Sequence, residues 1–330
     1  MNIIDQFNQL TFGIEIETTG RGRRRVAQAI RSIVGGHIEH AGGCYDTYEV
    51  RAADGRVWKA MSDSSVNGYH TGRMAEVVSP VLRYSDLETL QEVVRAIRKA
   101  GARVDSSCGI HIHIGADAFT TKALTNLLKI AYKQEDILYA ALDIENRQGW
   151  AAKIGTRTAA CATLMDKVNR NRIRDIESLR EAWYGYRNMH PSHYDSSRYH
   201  GINLHNVFFR GTVEFRWFAA TLHAGKVKAY IQLVLALACK AINARSASGK
   251  AKRAYNPTTA KYDWRVFLLG LGLKGEHFAT ARKHLLGNLK GDSGFKNGRT
   301  QREATVARTA EQITADEAAI AEHINTMSNL

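Results

Sequence analysis

The chain of 330 residues has four cysteines, Cys44, Cys108, Cys161 and Cys239, scattered singly with no C-x-x-C pair. That distribution excludes a zinc knuckle and a disulfide scaffold. It fits a reducing compartment in which the thiols are small buried hydrophobes. Long apolar runs are missing too. The best candidate, Tyr230 to Ala241, falls short of the roughly 20 residues that span a bilayer and reads as a buried helix. Met1 to Leu10 shows no basic patch followed by an apolar stretch, so no secretory signal and a cytoplasmic location are expected. There is no internal repeat and no G-x-x-x-x-G-K-[ST] loop. Any phosphate binding therefore rests on metal ions, Arg and His rather than on a glycine-rich cradle.

What is present is a hydrophobic fraction of 44% and a charged fraction of 24%, enough for one large core, or one core with an appendage, and no sign of wholesale disorder. The net charge of +14 attracts polyanions, whether nucleotides, nucleic acid or acidic peptides. Basic residues gather in Arg21 to Arg31, Arg170 to Arg174 and Lys250 to Arg253. Solvated helix faces carry the same pattern, so nucleic acid is a candidate partner but not the favoured one.

Alternation of apolar with polar or small residues predicts strands at Thr11–Thr18, Met74–Ser79, Ile110–Gly115, Tyr199–Leu204 and Thr212–Phe218. A hairpin is predicted from Tyr45–Val50 and Arg56–Met61, turned at Ala53-Asp54-Gly55. Helical spacing marks Arg23–Val34, a helix through Lys99 opened by a Ser85/Glu88 capping box, Thr121–Leu142, Arg157–Trp183 and Lys226–Asn243. Ser246–Pro257 reads as a linker. Beyond it come Asp263–Leu271, a helix near Gly275–Leu289, a Gly-rich turn region and a terminal helix over Ala304–Met327. Strands and helices mix without regular βαβ alternation, which predicts an α+β fold with a largely antiparallel sheet.

Four of these strands place ionisable residues at period-two spacing: Glu15 and Glu17, His111 and His113, Glu214 and Arg216, and Glu76 alone on the fourth. A half-exposed antiparallel sheet produces such a pair by chance on any one strand. Four together are harder to dismiss, because a solvated face also displays Lys, Thr and Ser. Two carboxylates about 4 Å apart repel by roughly 4 kcal/mol at an effective dielectric near 20. If these glutamates converge, they need protons or cations, and oxygen donors with limited imidazole suit Mg²⁺ or Mn²⁺.

These segments resemble the amidoligase family, relatives of glutamine synthetase and glutamate–cysteine ligase. The resemblance is carried by Phe12-Gly13-Ile14-Glu15-Ile16-Glu17, Trp58 through Asp63-Ser64-Ser65, Ala75-Glu76-Val77-Val78-Ser79-Pro80, Cys108 through Gly115, and Val213-Glu214-Phe215-Arg216-Trp217-Phe218, in that order. It runs from about Thr11 to Asn243. It implies a curved antiparallel sheet of glutamine-synthetase type with flanking helices, a catalytic domain over 1–245, and a linker with a helical C-terminal extension over 246–330. The activity it implies is an ATP- and Mg²⁺-dependent carboxylate–amine ligase acting through an acyl phosphate, with small-molecule or peptide acids and amines as substrates.

By the same resemblance, Glu15, His111 and Glu214 look like ligands of one divalent ion, and Glu17 and Glu76 like ligands of a second. His113 looks like a nucleotide-phosphate contact and Arg216 like the cation facing the transferred phosphoryl group. Arg198 is a weaker candidate for substrate or phosphate, and Tyr199 and Asn203 are weaker still. Position alone does not decide between His111 and His113 as ligand. Cys108 is expected to be structural. Asn146 to Asp195 carries no motif; Arg157, Arg170 and Arg172 are expected on solvated faces, and Trp150, Trp183, Tyr184 and Tyr186 in the core. Two other readings stay open: a two-metal phosphatase or nuclease on the same carboxylates, and a basic nucleic-acid-binding protein.

Overall fold

A computed structural model describes residues 2–144, 162–250 and 253–298. It is a mixed α+β arrangement built on an open, eight-stranded sheet whose hydrogen-bonded pairs are all antiparallel. The strands are β1 (Phe12–Thr19), β2 (His37–Gly42), β3 (Thr47–Arg51), β4 (Val57–Met61), β5 (Met74–Val78), β6 (Gly109–Gly115), β7 (Ile202–Asn203) and β8 (Thr212–Ala219), in the spatial order β2-β3-β4-β5-β1-β6-β8-β7. The four strands that carry Glu76, Glu15 and Glu17, His111 and His113, and Glu214 and Arg216, namely β5, β1, β6 and β8, are consecutive neighbours in this order.

The register brings like residues together across strands. Ile16 faces Val77, Ile14 faces Ile112, and Ile112 faces Phe215, so one side of the sheet is continuously apolar. Against it pack α2 (Arg23–Val34), on β2 to β5, and two long helices, α4 (Thr121–Leu142) on β8 and α8 (Ala224–Asn243) on β6. The strands' apolar side and the helices' buried sides form one hydrophobic cluster. α3 (Leu87–Lys99) packs on α2 and α8, and the short α1 (Ile3–Asn8) inserts Phe7 against Tyr84 at 5.0 Å.

Several boundaries differ from the sequence expectation for local physical reasons. The Ser85/Glu88 box does not form: Asp86 accepts the Arg83 N–H at 2.8 Å and is gripped by both Arg56 nitrogens, so a 3₁₀ turn over Tyr84–Asp86 leads into α3. The helix expected over 157–183 is two, α5 (Ala162–Asn169) and α6 (Ile176–Tyr184), and the part before 162 lies outside the described residues. Asn171 ends α5 in a left-handed conformation while the Arg172 N–H bonds the Lys167 carbonyl, a Schellman stop. The strand expected over 199–204 shrinks to Ile202–Asn203, because Asp195 caps a 3₁₀ turn just before it. Downstream, α7 (His205–Phe209) follows directly.

Described residues beyond 246 share the main core. Trp264 and Leu268 of α9 (Ala260–Gly270), together with Phe278 and Leu285 at α10 (Ala279–Leu285), belong to the same apolar cluster as the strands. Gln232 of α8 donates to the Tyr84 hydroxyl at 2.6 Å, and that hydroxyl meets His277 Nε2 at 2.7 Å. The helix expected over 304–327, Cys161, Trp150 and Arg157 lie outside the described residues. Cys108 and Cys239 are buried as expected, but Cys44 is exposed in the β2–β3 turn. Trp183 is core; Tyr186 is not, at 58% exposure. Arg170 and Arg172 are exposed.

Candidate functional site

The other side of the central strands forms the floor of a cavity of about 600 Å³. Period-two alternation sends Glu15 and Glu17 of β1, Glu76 of β5, and His111 and His113 of β6 into it. Cross-strand register then aligns them in rows. Glu17 stands opposite Glu76, Glu15 opposite His111, and His113 opposite Glu214. On β8 a bulge places two residues, Arg216 and Trp217, opposite His111. The extra residue returns Phe218 to the apolar side, where it stacks on Tyr230 at 4.4 Å, and leaves Arg216 lining the cavity.

Distances among these groups are short. His111 Nδ1 lies 3.0 Å from Glu15 Oε2 and 3.6 Å from Glu214 Oε1. His113 Nε2 lies 3.4 Å from Glu15 Oε1 and 4.0 Å from Glu214 Oε1, and Arg216 Nη1 donates to Glu214 Oε1 at 2.5 Å. Three sets of donor atoms each fall within 4.8 Å of one another: Glu15–Glu76–His111, Glu15–His113–Glu214 and Glu17–Asp63–Glu76. Of the site residues named from the sequence, all but Asn203 line one cavity, Arg198 and Tyr199 included; Asn203 is fully buried behind Glu214.

Electrostatics separates the carboxylates. Burial alone pushes Glu214 up, but the charges of Arg216, His113 and His111 pull it down to about 2. Burial is likewise outweighed at Glu15, where the charge of the nearby His113 and the hydrogen bond to His111 hold the carboxyl well below its ordinary value. Glu76 goes the other way. Burial and then the charges of Glu15, Asp63 and Glu17 raise it well above the carboxylate range, so without a bound cation it holds a proton more readily than Glu15 or Glu214. His113 is raised, the pull of Glu15 and Glu214 outweighing burial.

Two observations fit a divalent cation. His113 Nδ1 meets the Thr212 hydroxyl at 3.2 Å, while its buried Nε2 has no hydrogen-bond partner among the described residues and faces the two carboxylate oxygens. The Glu17–Asp63–Glu76 set is all oxygen, the donor type that hard cations such as Mg²⁺ and Mn²⁺ take. Cys108 is buried off the cavity lining, and burial pushes its thiol up to about 11.

Against known families, the model described as putative amidoligase enzyme matches residues 8–238. The chain belongs to this family. No curated protein matches it. The amidoligase match takes in all four ionisable strands and ends within α8, so α9 and α10 lie beyond it. It identifies the chain as one of a family of ligases.

The cavity wall also holds residues that strand alternation did not reveal. Asp63, in a quoted segment but given no role, comes from the loop between β4 and β5. His193, Tyr194 and Arg210 come from the connections around α6 and α7. Arg210 Nη2 lies 3.0 Å from His193 Nε2, and Arg198 Nη1 donates to the His193 carbonyl at 3.3 Å. The Arg198 guanidinium stands 6.0 Å from the Tyr194 ring and 5.8 Å from the Tyr199 ring. The Tyr45 and Tyr194 hydroxyls meet at 2.7 Å, although 149 residues separate them in the chain. No periodic signal announces these residues; the only hint is a Tyr/His/Arg-rich composition over 184–200.

Proposed function

We propose that this amidoligase joins a carboxylate to an amine at the expense of ATP, with Mg²⁺ or Mn²⁺ held by the floor of the cavity. The observation that carries the reading is the convergence of five carboxylates, Glu15, Glu17, Asp63, Glu76 and Glu214, with two imidazoles and Arg216 on one concave surface. Glu17 and Glu76, with Asp63 beside them, would hold one ion. Glu15 and Glu214 would hold the other, together with an imidazole. The family resemblance gives that place to His111 and gives His113 to the phosphates; the unpartnered Nε2 of His113 supports exchanging the two roles. Bound there, the ions would neutralise phosphate charge and orient a triphosphate.

The chemistry needs little else from the protein. A carboxylate oxygen attacks the γ-phosphorus and ADP leaves; the amine nitrogen then attacks the acyl carbon, the phosphate departs and the nitrogen loses a proton. Positioning and charge complementarity dominate both steps. Arg216, bonded to Glu214 and lining the cavity, would be the cation for the transferred phosphoryl group, and Arg198 at the wall would bind phosphate or substrate. A curved sheet of glutamine-synthetase type would provide such a concave floor. Residues 1–245 would form the catalytic domain, and the segment from 246 a brace against α4 and α8. Small acids and amines, or peptides carrying them, suit a cavity of about 600 Å³, and the free thiols suit the cytoplasm. No helix among the described residues is long and apolar enough to cross a membrane.

The test is an assay with Mg²⁺ and ATP against pooled carboxylates and amines, with ADP release as readout and mass spectrometry of the conjugate. ADP release that requires both acid and amine is the expected result. Hydrolysis of ATP or phosphate esters without any amine would favour a two-metal hydrolase. Binding of nucleic acid with a steep salt dependence and no need for Mg²⁺ would favour the nucleic-acid reading.

A further inference from the structure

The two oxygens of Glu214 are treated unequally. Oε2 accepts from Asn203 Nδ2 at 2.5 Å and from Asn206 Nδ2 at 2.8 Å. Oε1 faces Arg216 and the imidazole nitrogens of His111 and His113. Both asparagines are buried, Asn203 completely. Asn203 is the register partner of Glu214 across β7 and β8, which puts the two side chains on the same side of the sheet. Its carbonyl oxygen accepts the backbone N–H of His205 at 2.9 Å, so its amide can turn only the NH₂ end toward the carboxylate.

A buried carboxylate has to be hydrogen-bonded somewhere, and donors shared over both oxygens would meet that need. Here both amides are spent on one oxygen, and the other, which accepts from Arg216 at 2.5 Å, faces the imidazoles across the cavity. From this asymmetry we infer that Asn203 and Asn206 are positioning residues for Glu214: they immobilise Oε2 so that Glu214 presents Oε1 alone, as a single-oxygen ligand, toward the cation. The inference rests on the reading of Glu214 as a cation ligand. It gives β7 and α7, too short to contribute much to the sheet or core, a reason to lie where they do. It also assigns Asn203 a part in holding a protein side chain rather than in touching substrate.

The probe is Mn²⁺ alone, titrated into the full chain and followed by electron paramagnetic resonance, with circular dichroism and thermal midpoints run in parallel. Asn203→Ala and Asn206→Ala are each expected to weaken Mn²⁺ binding by about tenfold or more, the usual size of an outer-shell effect. The line shape of the bound ion should change as well, because the freed carboxylate can offer both oxygens. Glu214→Gln should lose that ion. Asn206 sits at the edge of the buried region, so Asn206→Ala keeps the test available should Asn203→Ala fail to fold. Unaltered affinity and line shape in a folded asparagine variant, with Glu214→Gln impaired, overturns the positioning role alone. A wild-type chain that binds no Mn²⁺, or a Glu214→Gln variant that binds it normally, overturns the ligand reading of Glu214 and the positioning role with it.

Discussion

The two sides of β1, β6 and β8 are made by the same alternation and buried to a similar degree, yet they are stabilised differently. On the helix side, Ile14, Ile112 and Phe215 are no more than 1% exposed and belong to the main apolar cluster. On the cavity side, Glu17, His111 and Glu214 are also buried, at 4%, 5% and 2%. Burial therefore does not distinguish core from site. What does is that the first side gains from every contact, whereas the second gathers like charges that burial penalises. A sheet that keeps such a surface is giving up stability for chemistry, and mutations on the two sides should separate stability from binding.

The largest effect belongs to the core side. Phe215→Ala should cost about 3–5 kcal/mol of unfolding free energy through the cavity it leaves. The molecules that remain folded should bind Mg²⁺–ATP with unchanged affinity. Denaturant titration beside calorimetric binding checks both, and a loss of affinity without a loss of stability would reverse the contrast. Next is Arg216→Lys, which keeps the charge but not the planar fork. Turnover is expected to fall by about 10²- to 10³-fold, the size of losing one aimed donor at a site of developing charge. ATP affinity should move much less, and steady-state kinetics with a normal turnover number would remove Arg216 from the mechanism. Glu17→Ala, one residue along β1 from the apolar Ile16, should weaken Mg²⁺-dependent ATP binding by about 100-fold or more with little change in the thermal midpoint, because relief of carboxylate repulsion offsets loss of the buried hydrogen bond from the Gly109 N–H. Equilibrium binding showing unchanged affinity would refute a ligand role for Glu17.

The same contrast marks how far the sequence could be read. Residues on regular strands were legible on both sides, because a period of two fixes which neighbour each one meets: Glu15, Glu17, Glu76, His111, His113 and Glu214 all line the cavity. Strand β2 was not legible. In its His37-Ile38-Glu39-His40 run at the sheet edge only Ile38 packs against the core and the other three are exposed, so a single apolar residue is too little to show an alternation. The bulge that turns Phe218 back to the core while keeping Arg216 in the cavity leaves no trace in alternation. Asp63, His193 and Arg210 arrive from loops, where position is set by tertiary contacts rather than by a repeat. Asn203 and Asn206 were hardest to read, since a two-residue strand and a five-residue helix are too short to show any period.

The finest test of the contrast is Glu76→Gln, which changes a charge and almost nothing else. In the metal-free protein the Glu76 carboxyl is raised, first by burial and then by Glu15, Asp63 and Glu17, whereas in the unfolded chain it titrates near its ordinary value of about 4.3. Between those two values the folded state binds the extra proton, so unfolding free energy falls as pH rises through that window. Glutamine has no proton to lose, so the variant should match the wild type near pH 4 and exceed it in unfolding free energy at pH 8. Added Mg²⁺ should reverse the order. The cation stabilises the folded wild type in proportion to its affinity, and the variant has lost a ligand. Crossing of the two stability curves on addition of Mg²⁺ at pH 8 is thus a property of a cation site. A carboxyl that was merely an ill-placed core residue would gain from the amide at pH 8 with or without the ion, and parallel curves in denaturant titrations would place Glu76 in that class.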